Sequence, residues 1–389
     1  MPLLVAVVVA AVITASFASS SAAAASSIRD QLRSGQLPVR GVNLGGWLVA
    51  EHWMTWDSSI WQGVPDDVAD QGEYATMTFL GHAVGDARFE QHRQQWITED
   101  DIRELAGFGL NTVRVPIGFW IVGNDSSDPS GMRQWQTYAP GALKYLDTLV
   151  NEWAPRYNIA VMMSLHAHKG SQNGRDHSAP TVLGTKYWST FQENVDNSVH
   201  WAMWVADRYK NSAAFLGLNL MNEPEDPTDL DVLLNYYRTT YALIRATGND
   251  CVIGVSPWLT RQTPAYMMDF MNWPQYYNVW HEWHPYFVWG YDGLTEQQLI
   301  DAVQTYVTKN IAPWTGNYLF FGEWSMGSPI SAAFKDDGDL KRFGQAQVRA
   351  FQGAHQGWSF WSWRHSDDMH NKRSGWSMRA LLRSGLLVL

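Results

Sequence analysis

Short, nearly uninterrupted apolar runs recur along this chain. Between them lie longer stretches with apolar residues every three or four positions. The first kind reads as strands buried on both faces, the second as amphipathic helices packed against a sheet. The strand pattern predicts eight elements, at Val39–Asn43, Thr112–Pro116, Ile159–Leu165, Phe215–Met221, Cys251–Val255, Val279–Trp283, Tyr318–Gly322 and Trp358–Trp361. A helix is predicted to start at Thr98, with Asp101 three residues on as a capping-box partner, and to end near Gly107 and Gly109. Further helices are predicted over Gly141–Trp153, Tyr187–Tyr209, Leu230–Ala246, Thr295–Lys309, Asp339–His355 and Ser377–Arg383, with a short one around Ala265–Phe270. From Trp61 to Arg93 no period holds, and the segment reads as an extended connection with local helical pieces. Eight strands alternating with helices predict a single (β/α)8 barrel, whose reactive residues sit where the strands end.

Two strands end in a way that apolar patterning does not explain. Leu216–Met221 runs into Asn222-Glu223-Pro224, and Tyr318–Phe321 runs into Gly322-Glu323-Trp324. A carboxylate at the tip of a buried strand is costly unless it is paired or used. Glu223 and Glu323 are 100 residues apart on the fourth and seventh strands, about 33 residues per strand–helix unit, as such repeats require. Paired carboxyls on a barrel rim suit cleavage of a glycosidic bond, with one protonated and the other ionised. Arg114, the lone charge in its strand, would favour the anion of Glu323, which makes Glu323 the nucleophile and Glu223 the general acid/base. His284 and Tyr286 would donate hydrogen bonds to the nucleophile and the sugar ring, Asn222 would orient a sugar hydroxyl, and Trp363 would form a flat floor.

Composition narrows the partners. The 389 residues carry a formal net charge of −10 without a long charge run, which argues against nucleic acid and anionic membrane surfaces. Trp is the outlying count, 22 beside 16 Tyr and 15 Phe, a supply of flat rings that pack cores and stack on sugar faces. An apolar opening followed by Ser and Ala reads as a secretory signal over residues 1–25, leaving 26–389 as the catalytic domain and a secreted, extracellular or cell-wall protein. The apolar run is short for a membrane span. The single Cys251 precludes an intramolecular disulfide, and Asn124-Asp125-Ser126 fits an N-glycosylation acceptor.

The chain resembles glycoside hydrolase family 5, and within it the fungal-type exo-β-1,3-glucanases. The resemblance covers nearly the whole mature chain and rests on motifs in a fixed order. These are Arg40–Trp47, Trp96–Glu99, Val113–Gly118, Gly170–Gly174, Asn222-Glu223-Pro224, Gly322–Ser325 and Phe360–Trp363. It implies a metal-free, cofactor-free retaining enzyme, expected as a monomer, that releases glucose from the non-reducing ends of β-glucan. It assigns Glu223 as acid/base and Glu323 as nucleophile. Arg114, His166, Asn222, His284, Tyr286 and Trp363 become supports around the sugar, and Glu51 a carboxylate gripping its hydroxyls. The family usually carries an aromatic after the Gly170–Gly174 loop and another after the His-x-Tyr motif, which clamp the outgoing sugar. Here Arg175 takes the first place and Trp289 keeps the second.

Other readings fit parts of the sequence. His166-Ala-His168 offers ligands for a metal-dependent barrel hydrolase, but no strand-end Asp or Lys follows to complete a cage, and His177 and His281 read as loop and packing residues. A catalytically silent glucan-binding protein would be free to lose one of its two Glu residues, and both are kept. A β-1,6-glucanase, a β-glucosidase and a glucosyl transferase would all use the same carboxylates.

Overall fold

The computed structural model describes residues 26–125 and 127–389; the expected signal segment 1–25 lies outside them, as does Ser126 of the expected acceptor triplet. Eight parallel strands close in sequence order: β1 Val39–Asn43, β2 Thr112–Gly118, β3 Ala160–Ala167, β4 Phe215–Asn219, β5 Val252–Val255, β6 Val279–Trp283, β7 Leu319–Phe321 and β8 Gly357–Phe360. The seam joins β1 to β8, with Val39 opposite Gly357 and Val42 opposite Phe360. Apart from Arg40, every strand residue is buried. That is why the strands appear in the sequence as runs rather than alternations.

The two-residue side-chain period of a strand divides the barrel interior by height. At the bottom, Val39, Ala160, Met162, Leu216, Val252, Trp280 and Phe320 form an apolar plug, closed from below by Ile28 and Leu32 of the helix Ile28–Arg33. Two or four residues further along the same inward faces the side chains turn polar. Met162 is followed by Ser164 and His166 on β3, and Trp280 by Glu282 on β6. The interior is thus dry below and charged above.

Val42, Val113, Val115, Val161, Met163, Leu218 and Ile253 point outward into the larger core shared with the helices. Glu99–Gly107 begins with the Thr98/Asp101 capping box, the Thr98 amide donating to Asp101 at 2.9 Å. Leu230–Ala246 forms as expected, while the other helices differ at their ends: Leu143–Thr148 continues through one wide turn to Trp153, and Gln192–Tyr209, Glu296–Tyr306, Asp337–Phe351 and Met378–Arg383 complete the ring. Two expectations fail. Ala265–Phe270 forms turns and no helix, because Met267 and Met271 adopt positive φ of 59° and 52°, which no helix accommodates. The second fails only in extent: the stretch after Trp61 forms the local helical pieces expected, but as the longer helices Glu73–Leu80 and His82–Trp96, leaving little extended chain. Its buried face includes His92 and Arg93 beside Phe89 and Trp96, so polar residues hide the helical period.

No helix among the described residues is long and apolar enough to cross a membrane.

Candidate active site

At the charged upper end of the barrel, Arg114 is wholly buried and satisfies four partners from four strands or strand tips. One guanidinium nitrogen donates to Asn43 Oδ1 at 2.8 Å and Glu323 Oε1 at 2.9 Å. The other meets Asn222 Oδ1 and Glu282 Oε1, both at 2.8 Å. This fork geometry suits Arg and not Lys. Asn43 in turn donates to the Gly322 carbonyl at 2.9 Å, steadying the turn that carries Glu323. Tyr286 donates its hydroxyl to Glu323 Oε2 at 2.8 Å. Burial and the nearby carboxylates keep that phenol protonated, its pKa well above the ordinary tyrosine value.

Glu223 follows β4 with a left-handed backbone, φ 46°. The polar loop after β3 holds it there. Gln172 donates to the Asn222 carbonyl at 2.7 Å and to the His166 carbonyl at 2.8 Å, and Asn173 donates to the Glu223 carbonyl at 3.2 Å. Two imidazoles flank the carboxylate. His284 Nδ1 lies 2.7 Å from Oε1, and His177 Nε2 lies 3.6 Å from Oε2. His177, on the loop as expected, thus also borders the site, and the polar loop that carries it was the available signal. His284 meets Glu223 rather than Glu323, the expected nucleophile, whose Oε2 is 3.6 Å from the same nitrogen. One oxygen each of Glu223 and Glu323 and one His284 nitrogen lie within 4.8 Å of one another.

The charges follow from this packing. Burial lowers the pKa of His284, but Glu323, Glu223 and Glu282 outweigh it and raise it to about 10. Burial raises Glu223, yet the bond and charge of His284, then His177 and Arg114, hold it at about 2. For Glu323, burial and the charge of Glu223 prevail over His284, Arg114 and Tyr286, so its pKa lies above the usual value. Arg114 thus favours the Glu323 anion, as expected, without fully compensating its burial. The Glu223–His284 pair shares one proton, which rests on the imidazole.

The sequence-selected supports divide. His166 is buried and neutral, its pKa pushed well down mainly by burial; it lies 3.3 Å from Asn222 and parallel to the Trp361 ring, 5.7 Å between centroids. Glu51 is buried at the rim, accepting from the Trp53 indole at 2.9 Å, and its other oxygen has no partner. Burial, then the charge of Asp176, raise its pKa well above normal. Trp289 stands 68% exposed beside Tyr286 and Trp376. Trp363 is not a floor. It is fully buried, and its indole donates to Asp101 in the helical layer at 2.8 Å. Ser359 faces inward to Asn43, so alternation turns Trp361 inward too, and Trp363, beyond the end of the strand at Phe360, leaves the pattern. Arg175 lies across Glu225 at 3.0 Å instead of over the opening.

The histidine pair of the metal reading separates. His168 turns outward to Ser198 at 2.7 Å, among Trp188, Trp201 and Tyr236. His281 is a packing residue, bonded to the Phe270 carbonyl at 3.0 Å. The residue missed altogether is Glu282. It sits two positions before His284, hence on the same face of its strand, and was readable by that alternation.

A closed (β/α)8 barrel with two strand-end carboxyls this close, braced by Arg, His and Tyr, defines a glycosidic-bond hydrolase of the barrel class. The chain belongs to glycosyl hydrolase family 5: the family model for its cellulase domain matches residues 77–367. Among curated relatives, a glucan 1,3-beta-glucosidase of Blumeria graminis is 30% identical over 90% of this chain and 86% of its own, and one of Pichia angusta is 28% identical over 90% and 85%. Among solved structures, rutinosidase from Aspergillus niger superposes with a TM-score of 0.74 at 18% identity, covering 91% of this chain and 99% of that one. The barrel is likewise similar to the endoglucanase Cel5A of Thermotoga maritima, with a TM-score of 0.55 at 15% identity over 93% and 98%.

Proposed function

We propose that the protein is a secreted, retaining glucan 1,3-β-glucosidase that releases glucose from non-reducing chain ends. The observation that carries the mechanism is the approach of Glu223 and Glu323 oxygens to within 4.8 Å. Retaining pairs are about 5–5.5 Å apart, whereas inverting pairs stand about 6.5–9.5 Å apart to admit a water. The names of the relatives support the β-1,3 linkage. Their fungal sources and the apolar segment 1–25 support export.

In this reading Glu323 attacks the anomeric carbon and the glycosidic C–O bond breaks. The proton held by the Glu223–His284 pair passes through Glu223 to the departing oxygen. Water then attacks the glycosyl ester, returning its proton to the pair and freeing Glu323. Arg114 and Tyr286 hold Glu323 in line and take up its charge when it is released. Glu51 hydrogen-bonds a sugar hydroxyl through its unpartnered oxygen, and Trp361, level with His166, supplies the flat surface beneath the ring. Trp289 stacks on the leaving sugar.

A time course of products from laminarin, with the anomer followed by NMR, tests the reading. Early β-glucose alone is the expected result. Early α-glucose overturns retention, mixed oligosaccharides overturn exo action, and no product from any β-glucan leaves a binding protein.

A further inference from the structure

Glu282 touches neither the mouth of the barrel nor the expected path of a sugar, yet it joins the two halves of the catalytic machinery. It is fully buried on β6. Its Oε1 lies 2.8 Å from Arg114, which holds Glu323, and 3.0 Å from His284 Nε2, whose other nitrogen holds Glu223. Its Oε2 is buried without a partner. Two cations converging on one carboxylate oxygen is an expensive arrangement to bury unless the charge is needed.

The neighbouring backbone is shaped around this carboxylate. A Cβ at Gly322 would stand 2.0 Å from Glu282 Oε1 and 2.4 Å from its Cδ. Gly322 has no positive φ, so space rather than conformational freedom is what glycine provides there. The residue before the nucleophile is thus small because Glu282 occupies the place of a side chain.

We propose that Glu282 is a positioning residue that fixes the proton on the His284–Glu223 pair and so sets the pH range of the reaction. The inference rests on Glu223 and Glu323 being the reacting carboxyls. The charged and titratable groups facing it are Arg114 from β2, Glu223 beyond β4, Glu323 beyond β7, His284 and Tyr286 beyond its own strand, and Tyr237 from the helix Leu230–Ala246, whose ionisation the Glu282 charge opposes. With Glu282 charged, His284 retains its proton to higher pH. Without that charge the pair loses its proton more easily, which lowers the alkaline limb of activity. Arg114, no longer shared, favours the Glu323 anion more strongly, which lowers the acid limb.

Glu282→Gln, made in the full chain, tests this on 4-nitrophenyl β-glucoside. Both limbs of kcat/KM should move to lower pH by about one unit, with kcat at the optimum down about tenfold and KM changed less than about threefold. Glu282→Asp, which restores the charge, should bring the limbs back toward the original, and Gly322→Ala should shift them as Glu282→Gln does. A folded Glu282→Gln enzyme with unmoved limbs, whatever its Tm, overturns the proposal. Should that variant fail to fold, 15N NMR of the histidines in the unaltered protein decides, with His284 identified by loss of its signal in His284→Asn. A ring still protonated at pH 8 supports the role, and titration near 6.5 overturns it. The NMR arm needs no substrate, so failure of the glucan reading leaves it standing.

Discussion

Glu223 keeps a left-handed backbone at φ 46°, a conformation costing of order 1–3 kcal/mol in a residue with a Cβ. Gln172 and Asn173 offset that cost through backbone carbonyls, and the carboxylate faces its partner as a result. Glu323→Gln should therefore keep its Tm within about 2 °C yet lose at least ~10⁴-fold in kcat, because no nucleophile remains; near-normal turnover would reject Glu323. Glu223→Ala should lose most activity on poor leaving groups and regain part of it with azide on an activated aryl glucoside. Lack of rescue would reject the acid/base role. Trp289, two-thirds exposed, should on replacement by Ala weaken laminari-oligosaccharides by about 1–2 kcal/mol in KM while leaving an aryl glucoside unaffected; equal losses would make it a packing residue. At this scale the sequence disclosed residues whose chemistry is conspicuous, such as Glu223, Glu323 and Arg114. It concealed those defined by direction. Trp361 and Trp363 have the same chemistry, and only the end of β8 at Phe360 decides which one faces in.

Among the elements, the helices Glu73–Leu80 and His82–Trp96 do the least obvious work. Glu73 is fully buried, with Arg93 at 3.5 Å, and burial outweighs Arg93, backbone donors at Ala139 and Ala50, and the Trp120 indole to put its pKa at about 7. Because the folded pKa exceeds the unfolded one, the native state binds the extra proton between the two values. The stability it contributes is complete below pH 4.5 and is lost as pH rises through 7. A shift from 4.5 to about 7 amounts to about 3 kcal/mol across that window. Thermal denaturation at pH 5 and pH 8 checks this: Glu73→Gln should remove most of the difference between the two Tm values, and an unchanged difference would mean that Glu73 does not titrate there. Helices with a capping signal and an apolar stripe, such as Glu99–Gly107, were legible in the sequence. His82–Trp96 was not, because its inward face carries Arg93 and His92, whose carbonyl partners at Ala139, Pro140 and Gly46 come from distant segments.

For the whole molecule, the barrel was legible because eight doubly buried strands cannot be written without eight apolar runs. The bottom plug was not, since six residues at Ile28–Arg33 carry too little pattern to announce their seat. Leu32→Ala should cost about 2–5 kcal/mol, as buried leucines do, with kcat and both pH limbs unchanged, because the dry lower layer separates it from Arg114. Denaturant unfolding together with glucoside kinetics would show this; a matching loss of kcat would couple the two ends of the barrel.

That plug also carries a consequence for how the chain is made. The carbonyl of Leu32 accepts from Gln356, at the entrance to β8, and the helix packs on residues from β1 and β3 through β7. The helix Ile28–Arg33 thus lacks its bond from Gln356 until the approach to the last strand has followed it, more than 320 residues later. Domains generally fold as units once their parts are available, so nascent chains of every shorter length remain open, a form in which a polypeptide can be threaded through a translocation channel. Chains stalled before β8 lack the seam, and quality-control machinery would meet them with their apolar interior uncovered.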